Sequence, residues 1–508
     1  MNTGQAWITE ILPLDRPEYA KQPEALLTDL VWRSVGSSLS NVIPLSRDSS
    51  LVRLVPRRVH GRKPGLVETM PIAEETDACA LILSPSGVRT PVGALLNSVL
   101  APKSRGDKSL ACVPVHPDAV VLQTLHGLVS KLGPPNLAKV IETVGWLGGS
   151  GDRGYVAHSL LVAMSQQANS HEGFTGLVDT LFPEIAKYTW SELVKSFPGA
   201  AGVPPEWPGV GPTETLDSSL GPSILANYKW TPFRWFWEKW DMLCNNGWYN
   251  VLPARRFIDW ATCLLRTGLS FAYLWEADFF VKLHACISEK LSNQENHRGS
   301  QTAARDSLQS MLRNGTILAT IEAPRVPATQ KHAWNALSTL LARGYVTRKR
   351  FEEHLSRSLF STPRDVKDVW SIVEAWIDSL LPQDMETLSE PLQVDSNTAP
   401  NTREFVRYLL LPRSSDDDTR DQADFYYLAR TNSRRLVWFQ PGPEWLVVVT
   451  SLLGKYPGGK CTLGMLLDDL RMLGLRVERG VLVGMLEEAG LSMDSPDADN
   501  ALVIQAGF

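Results

Sequence analysis

Between residues 257 and 287 the apolar residues Phe257, Trp260, Leu264, Phe271, Trp275, Phe279, Leu283 and Ile287 recur mostly every three or four positions. That spacing sets them on one face of a helix. The same period runs through "NLAKVIETVGWLG", "YVAHSLLVAMSQQAN", "ARDSLQSMLRNG", "TQKHAWNALSTLLARG", "TRKRFEEHLSRSLF" and "DVKDVWSIVEAWIDSLL". "PDAVVLQTLHGLVSKLG" opens with Pro117 and Asp118 and closes at Gly133, which predicts a capped helix. "PVGALLNSVLA" predicts a short one. Strand-like runs are confined to the two ends. "SLVRLVP" and "ACALILSPSGV" lie between turns near the start, and "FYYLARTN", "RRLVWFQP" and "ALVIQAGF" lie near the finish.

These patterns predict a mainly α, multidomain chain with a mixed α+β N-terminal module, a helical middle domain and a different C-terminal unit. The expected divisions are a mixed module over 1–116 and a helical segment over 117–197. A Pro/Gly-rich connector follows over 198–223, then a Trp-rich helical domain over 224–382. An acidic polar linker over 383–424, ending in "SSDDDTRDQAD" and bracketing the helix "REFVRYLLL", leads to the final unit over 425–508.

Composition narrows the class. At 508 residues the chain exceeds what one core usually organises. With 44% hydrophobic and 21% charged residues it reads as a globular protein. The net charge of -5 advertises no general affinity for nucleic acid, which leaves local patches to carry any. None of the six cysteines forms a C-x-x-C pair, so they read as reduced, buried thiols in a cytoplasmic protein without a metal or other cofactor. The first residues show no charged region followed by an apolar core, so no secretory signal is expected. The most apolar stretch, "DWATCLLRTGLSFAYLWEADFF", carries Asp259, Arg266 and Glu276 and predicts a buried helix, not a membrane span.

"GKYPGGKCT", from Gly454 to Thr462, has the glycine and lysine spacing of a phosphate-binding loop. Such a loop needs a hydroxyl directly after the lysine to hold magnesium. Here Cys461 takes that place, and a hydroxyl one position later on a helix points about 100° away. The residues after Thr462 read as two short helices and a strand, with no metal-binding aspartate at a strand end. The stretch therefore reads as a helix entered through Pro443 and Glu444, a turn over "GGKCT", and a helix capped by Thr462. "GSGDRG", Gly149 to Gly154, has the glycines of a dinucleotide fold but comes after an amphipathic helix, so it reads as a turn between helices. No G-x-S-x-G or H-E-x-x-H motif is present. Glu352, Glu353 and His354 read as a solvated helix face, and His158 and His284 as core or boundary histidines.

From Glu444 to Ile504 the order of three short helices and a β-leaning tail resembles the winged-helix fold. That resemblance implies a third helix able to enter DNA. The charges around it, Arg476, Glu478, Arg479, Glu487 and Glu488, give no positive face, so protein contact or architecture is the expected role. Two other stretches suit phosphates. One holds Arg53, Arg57, Arg58, Arg62 and Lys63, and the other Lys103, Arg105 and Lys108. These are the candidate DNA-binding residues, with ordinary solvated charge as the alternative. A third basic stretch, with Arg343, Arg348, Lys349, Arg350 and Arg357, is partly neutralised by Glu352 and Glu353.

Trp is frequent, with 17 copies. "YKWTPFRWFWEKWDMLCNNGWYN" places rings at 235, 236 and 237, which cannot all face one side of a helix, so a second surface must receive at least one. Trp235, Phe236, Trp237 and Trp240 are the candidate partner-binding residues, since Trp is a common interface anchor. Packing within the chain, or stacking on bases with Arg234 and Lys239 at phosphates, are the alternatives. With no catalytic set visible, the sequence predicts a non-enzymatic adaptor or scaffold that contacts other protein subunits, in the style of an accessory subunit of a bacterial phage-defence or DNA-processing complex. Sequence-independent DNA binding through the basic stretches is one alternative. An enzyme whose site is assembled from distant residues is the other.

Overall fold

A computed structural model describes residues 11–17, 26, 27, 30, 52–57, 65–71, 137–151, 155–168, 223–296, 302–321, 333–355, 368–412, 424–433, 436–491, 502–505 and 507. Among them helices dominate, as the periodicity predicts. A hairpin of β1 (Val52–Arg57) and β2 (Gly65–Pro71) comes first. Then follow α1 (Leu137–Gly148), α2 (Tyr155–Ala168), α3 (Pro232–Asn245), the single turn α4 (Trp248–Val251) and the long α5 (Ala254–Asn296). Next come α6 (Ala303–Asn314), β3 (Ala319–Ile321), α7 (Ala333–Leu355), α8 (Val369–Ser379), α9 (Pro382–Ser389) and α10 (Pro400–Leu410). The last part holds β4 (Ala429–Ser433), β5 (Leu436–Phe439), α11 (Pro443–Leu453), β6 (Lys460–Thr462), α12 (Leu463–Leu473), β7 (Leu475–Val477), α13 (Arg479–Glu488) and β8 (Val503–Gln505). The helix expected over 117–133, the helix "PVGALLNSVLA" and the strand "ACALILSPSGV" lie outside the described residues.

Local chemistry sets many of the boundaries. Thr231 caps α3 by accepting from the Arg234 amide at 3.2 Å, with Pro232 in the first turn. Asp368 caps α8 through the Ser371 amide. Thr462 caps α12 through the Met465 amide, and Gly474, at φ 92°, closes it in the left-handed conformation.

Two expectations about the helices need correction. The stretches read as separate helices on either side of Gly344 form one helix, α7. Gly344 does not stop it; it lets α7 cross α5 closely. A Cβ there would fall 2.4 Å from Ala277 Cα and 2.6 Å from Ala277 Cβ. The 383–412 part of the expected acidic linker is likewise not a free loop. It includes most of α9 and all of α10, which pack on α5 through Met385, Leu388, Phe405 and Leu409. The helix expected from "REFVRYLLL" is present as α10, whereas the apolar spacing of α9 is hidden by the polar residues around it.

The Gly344 crossing gives a direct test. Gly344→Ala should destabilise the chain by about 1–3 kcal/mol through overpacking. Gly480→Ala is its control, because nothing lies within 4 Å of the added methyl. Denaturant unfolding of the two variants would separate them; equal stabilities would count against the close crossing.

Strand pairing is sparse and ties distant segments together. β3 runs parallel to β7 with Ala319 opposite Leu475. β4 and β5 are antiparallel, as are β6 and β8, with Cys461 opposite Ile504. "GGKCT" was expected to be only a turn. Its last three residues instead form β6, because the chain's tail supplies a partner that local sequence cannot reveal. Among the described residues, nearly all the buried apolar side chains form one cluster that draws on segments from Ile11 to Ile504.

Candidate functional site

Helix α3 is the hub of this cluster. It packs on α1, α2, α5, α11 and α12. Its adjacent rings point to different neighbours. Trp235 is fully buried, and its indole N–H donates to Asp469 Oδ2 of α12 at 2.7 Å. Phe236 lies over Gly268 of α5, where an added Cβ would fall 2.5 Å from the ring. Trp237 is half-buried and meets Tyr155 of α2 edge-on at 5.4 Å between centroids. One turn later, Trp240 donates to Val156 O and Ser159 Oγ of α2 at 3.1 and 3.0 Å. The second surface that the sequence demanded is supplied by other parts of the same chain. Trp235, Phe236 and Trp240 are fully enclosed and are not exposed anchors. Trp237 alone of the four retains exposed surface.

Around this hub, five charged side chains are buried among the described residues, and each joins two elements. Glu142 of α1 accepts from the Val156 and Ala157 amides at the start of α2. Lys239 of α3 meets Asp469 of α12 at 2.6 Å. Burial raises the Asp469 carboxyl above its ordinary range, against the pull of Lys239 and Trp235. Arg266 of α5 holds Asp424 at 2.9 Å and donates to the carbonyls of Leu409 and Leu411. Glu276 of α5 pairs with Arg348 of α7.

Glu276 and Arg348 also line a cavity of about 30 Å³, shared with Asp15, Arg16, Tyr273 and Tyr345. Desolvation lifts the Glu276 carboxyl to about 7, although Arg348 opposes this. A raised carboxyl in a cavity is the signature of a general acid or base. The neighbours here, however, are two arginines, two tyrosines and a second carboxylate, without a histidine or thiol. The cavity has room for about one water.

The four thiols among the described residues are equally unsuited to chemistry. Cys244, Cys263, Cys286 and Cys461 are free and buried. Burial pushes the Cys286 thiol to about 12 and that of Cys461 to about 11, which holds them protonated. Among the described residues no group of three His, Cys, Asp or Glu is placed to hold a metal. His158 and His284 are half-buried, and burial lowers the basicity of both. His354 faces Asp384 at 3.9 Å, while Glu352 and Glu353 pair with Arg348 and Lys349 on the same helix.

"GKYPGGKCT" joins helix α11 to strand β6, the reverse of the strand-to-helix order that a phosphate loop needs. "GSGDRG" comes after α1, with Gly149 and Gly151 at positive φ. The structure places Arg53 and Arg57 on β1, opposite Met70 and Gly65. Arg58, Arg62, Lys63, Lys103, Arg105 and Lys108 lie outside the described residues. Of the third basic stretch, Arg348 and Arg350 make internal contacts, Arg343 and Lys349 are exposed, and Arg357 lies outside the described residues. Arg348 is enclosed with Glu276, and Arg350 donates to Glu390 O at 2.7 Å. Around α13, Arg476, Glu478, Arg479, Glu487 and Glu488 all reach solvent, with neither sign dominant.

No described helix is long and apolar enough to cross a membrane. The chain matches no family model, no curated protein and no solved structure.

Proposed function

We propose that the protein is a non-enzymatic adaptor or scaffold subunit of a larger complex. The observation that carries this reading is the use made of the buried charges. Glu142, Lys239, Arg266, Glu276 and Asp469 each bind one element to another, and none is left facing a pocket of substrate size. Buried charges arranged in this way suit a body whose purpose is to hold a fixed shape. The C-terminal unit fits the same role. Its order α11, β6, α12, β7, α13, β8, with β6 antiparallel to β8, supports the winged-helix reading, although β7 pairs with β3 outside the unit. The mixed charges around α13 favour contact with protein over DNA.

A second reading is sequence-independent DNA binding, favoured by the N-terminal hairpin. The sequence that joins β1 to β2 after Arg57 carries Arg58, Arg62 and Lys63.

Titration of the full chain against a random DNA duplex at low and moderate salt separates the two. The adaptor reading expects no salt-sensitive binding in the range of about 1–100 µM that phosphate contacts alone provide. It also expects the chain, isolated at native level from its own host, to carry a stoichiometric protein partner. Binding that weakens steeply with salt, and is lost when Arg57, Arg58, Arg62 and Lys63 are replaced by Glu, would establish the second reading instead.

A further inference from the structure

Three exposed cations from distant parts of the chain, Lys229, Arg313 and Arg471, gather around Trp230, the half-buried ring just before α3. Lys229 Nζ stands over the ring at 4.7 Å from its centroid, and the Arg471 guanidinium of α12 stands over the same ring at 4.8 Å. Arg471 also donates to Asn314 O at 3.3 Å, which brings it to the end of α6, beside Arg313. Gly315, at φ 79°, makes this approach possible. A Cβ there would fall 3.0 Å from Trp230 Cβ and 3.9 Å from Arg471 O. The same connection leaves Ile317 48% exposed, just before the Leu318 amide donates to Gly474 O at 2.8 Å.

Among the described residues none of these three cations has an ion-pair partner, and their one hydrogen bond is that from Arg471 to Asn314 O. Arg234 and Lys239 of α3 and Arg305 of α6, by contrast, are each paired with a carboxylate. Two carboxylates on the same elements leave the group unneutralised. Asp368 feels the charge of Arg313, but its oxygens accept from the Tyr228 hydroxyl and from the Ser371 amide and hydroxyl. Asp468, one turn before Arg471 on α12, is exposed and forms no ion pair with it. Helix ends explain part of the arrangement, because Arg313 and Arg471 lie in the last turns of α6 and α12, where a cation is favoured. They do not explain why Lys229 shares a ring with Arg471, since like charges repel. The indole face holds both cations and leaves their remaining N–H donors open to solvent.

We propose that Lys229, Arg313 and Arg471, held around Trp230 with Ile317 beside them, form a docking face for an acidic segment of a partner protein. The chain carries a net charge of -5, so this group is a local reversal of sign that directs an acidic segment to one face of the molecule. Carboxylates reach the three cations from the solvent side, and the guanidinium forks match them in shape. Ile317 supplies an apolar contact next to the charges. A nucleic-acid strand fits less well. Two cations already stand over the indole, in the place that a stacked base would take. The proposal gives the adaptor reading its contact surface and rests on that reading.

Fluorescence anisotropy of the full chain tests it. The probes are a short labelled peptide rich in glutamate with a central leucine, and a single-stranded oligonucleotide of equal charge, each titrated at low and moderate salt. The peptide should bind, and more weakly as salt is added. Combined Lys229→Glu, Arg313→Glu and Arg471→Glu should weaken it by about tenfold or more, since each exposed pair contributes modestly but three act together. Arg343→Glu, Lys455→Glu and Lys460→Glu change the net charge equally at other exposed positions and should alter binding by less than about twofold. Circular dichroism checks folding, and if the first set fails to fold, Lys229→Gln, Arg313→Gln and Arg471→Gln replace it. Absence of peptide binding at low salt would overturn the proposal, as would equal losses in the two sets of variants. Tighter binding of the oligonucleotide through the same three residues would overturn it in favour of nucleic acid. The adaptor reading fails separately: a wild-type chain that brings a stoichiometric partner from its host but does not bind the peptide keeps that reading and loses this face.

Discussion

Asp469→Ala should destabilise the protein by about 3–5 kcal/mol, the loss typical when one partner of a buried ion pair is removed. Lys239 would remain fully enclosed with its charge uncompensated. Trp235 would lose the acceptor of its indole N–H, which it now reaches at 2.7 Å. Both groups sit on α3, so the damage falls on the contact between the helical hub and α12. Replacing both partners with apolar residues, Lys239→Met with Asp469→Leu, should recover most of the loss, because no buried charge is then left alone. Denaturant unfolding of the single and double variants measures the coupling. If the double variant is as unstable as Asp469→Ala, packing at α12 and not the stranded lysine is the cause. The local readout is amide exchange in α12, which should rise more than exchange in α8.

That contact also marks where sequence reasoning stops. The stretch around α3 was legible as a helix through Thr231, Pro232 and its aromatic spacing. The crowding of three rings at 235–237 correctly demanded more than one receiving surface. It could not say that Asp469, separated from Trp235 by 234 positions, supplies one of them. The Thr462 cap was legible because capping is a matter of neighbouring residues. Strand β6 was not, since three residues become a strand only when β8 pairs with them. Gly344 misled for a related reason. A glycine within a helical pattern reads as a stop, yet here it answers to Ala277 on another helix. Glu276 was visible as a carboxylate inside an apolar run, and it argued against a membrane span. Its partner Arg348 was read only with the local Glu352, although both carboxylates share its guanidinium.

Trp240→Ala should cost about 3–5 kcal/mol, in the range of large-to-small changes that leave a cavity. The indole is fully buried, tilted against Phe236 at 5.6 Å, and its N–H is shared between Val156 O and Ser159 Oγ. Trp240→Phe keeps most of the ring volume and removes the donor, so its cost should be about 1–3 kcal/mol, set by the two acceptors left behind. Trp237→Ala should cost less than Trp240→Ala, because half-exposed apolar area contributes in proportion to what is buried. Thermal and denaturant unfolding of the three variants would rank them. This order decides how any loss of partner binding is to be read. A defect in Trp240→Ala would reflect a weakened core, since that ring cannot reach a partner in the folded chain. A defect in Trp237→Ala at near-normal stability would identify the one ring of the four that both supports the hub and reaches solvent. Equal destabilisation by both alanine variants would mean that Trp237 is as deeply committed to the core as Trp240, and the adaptor would have to engage its partners elsewhere.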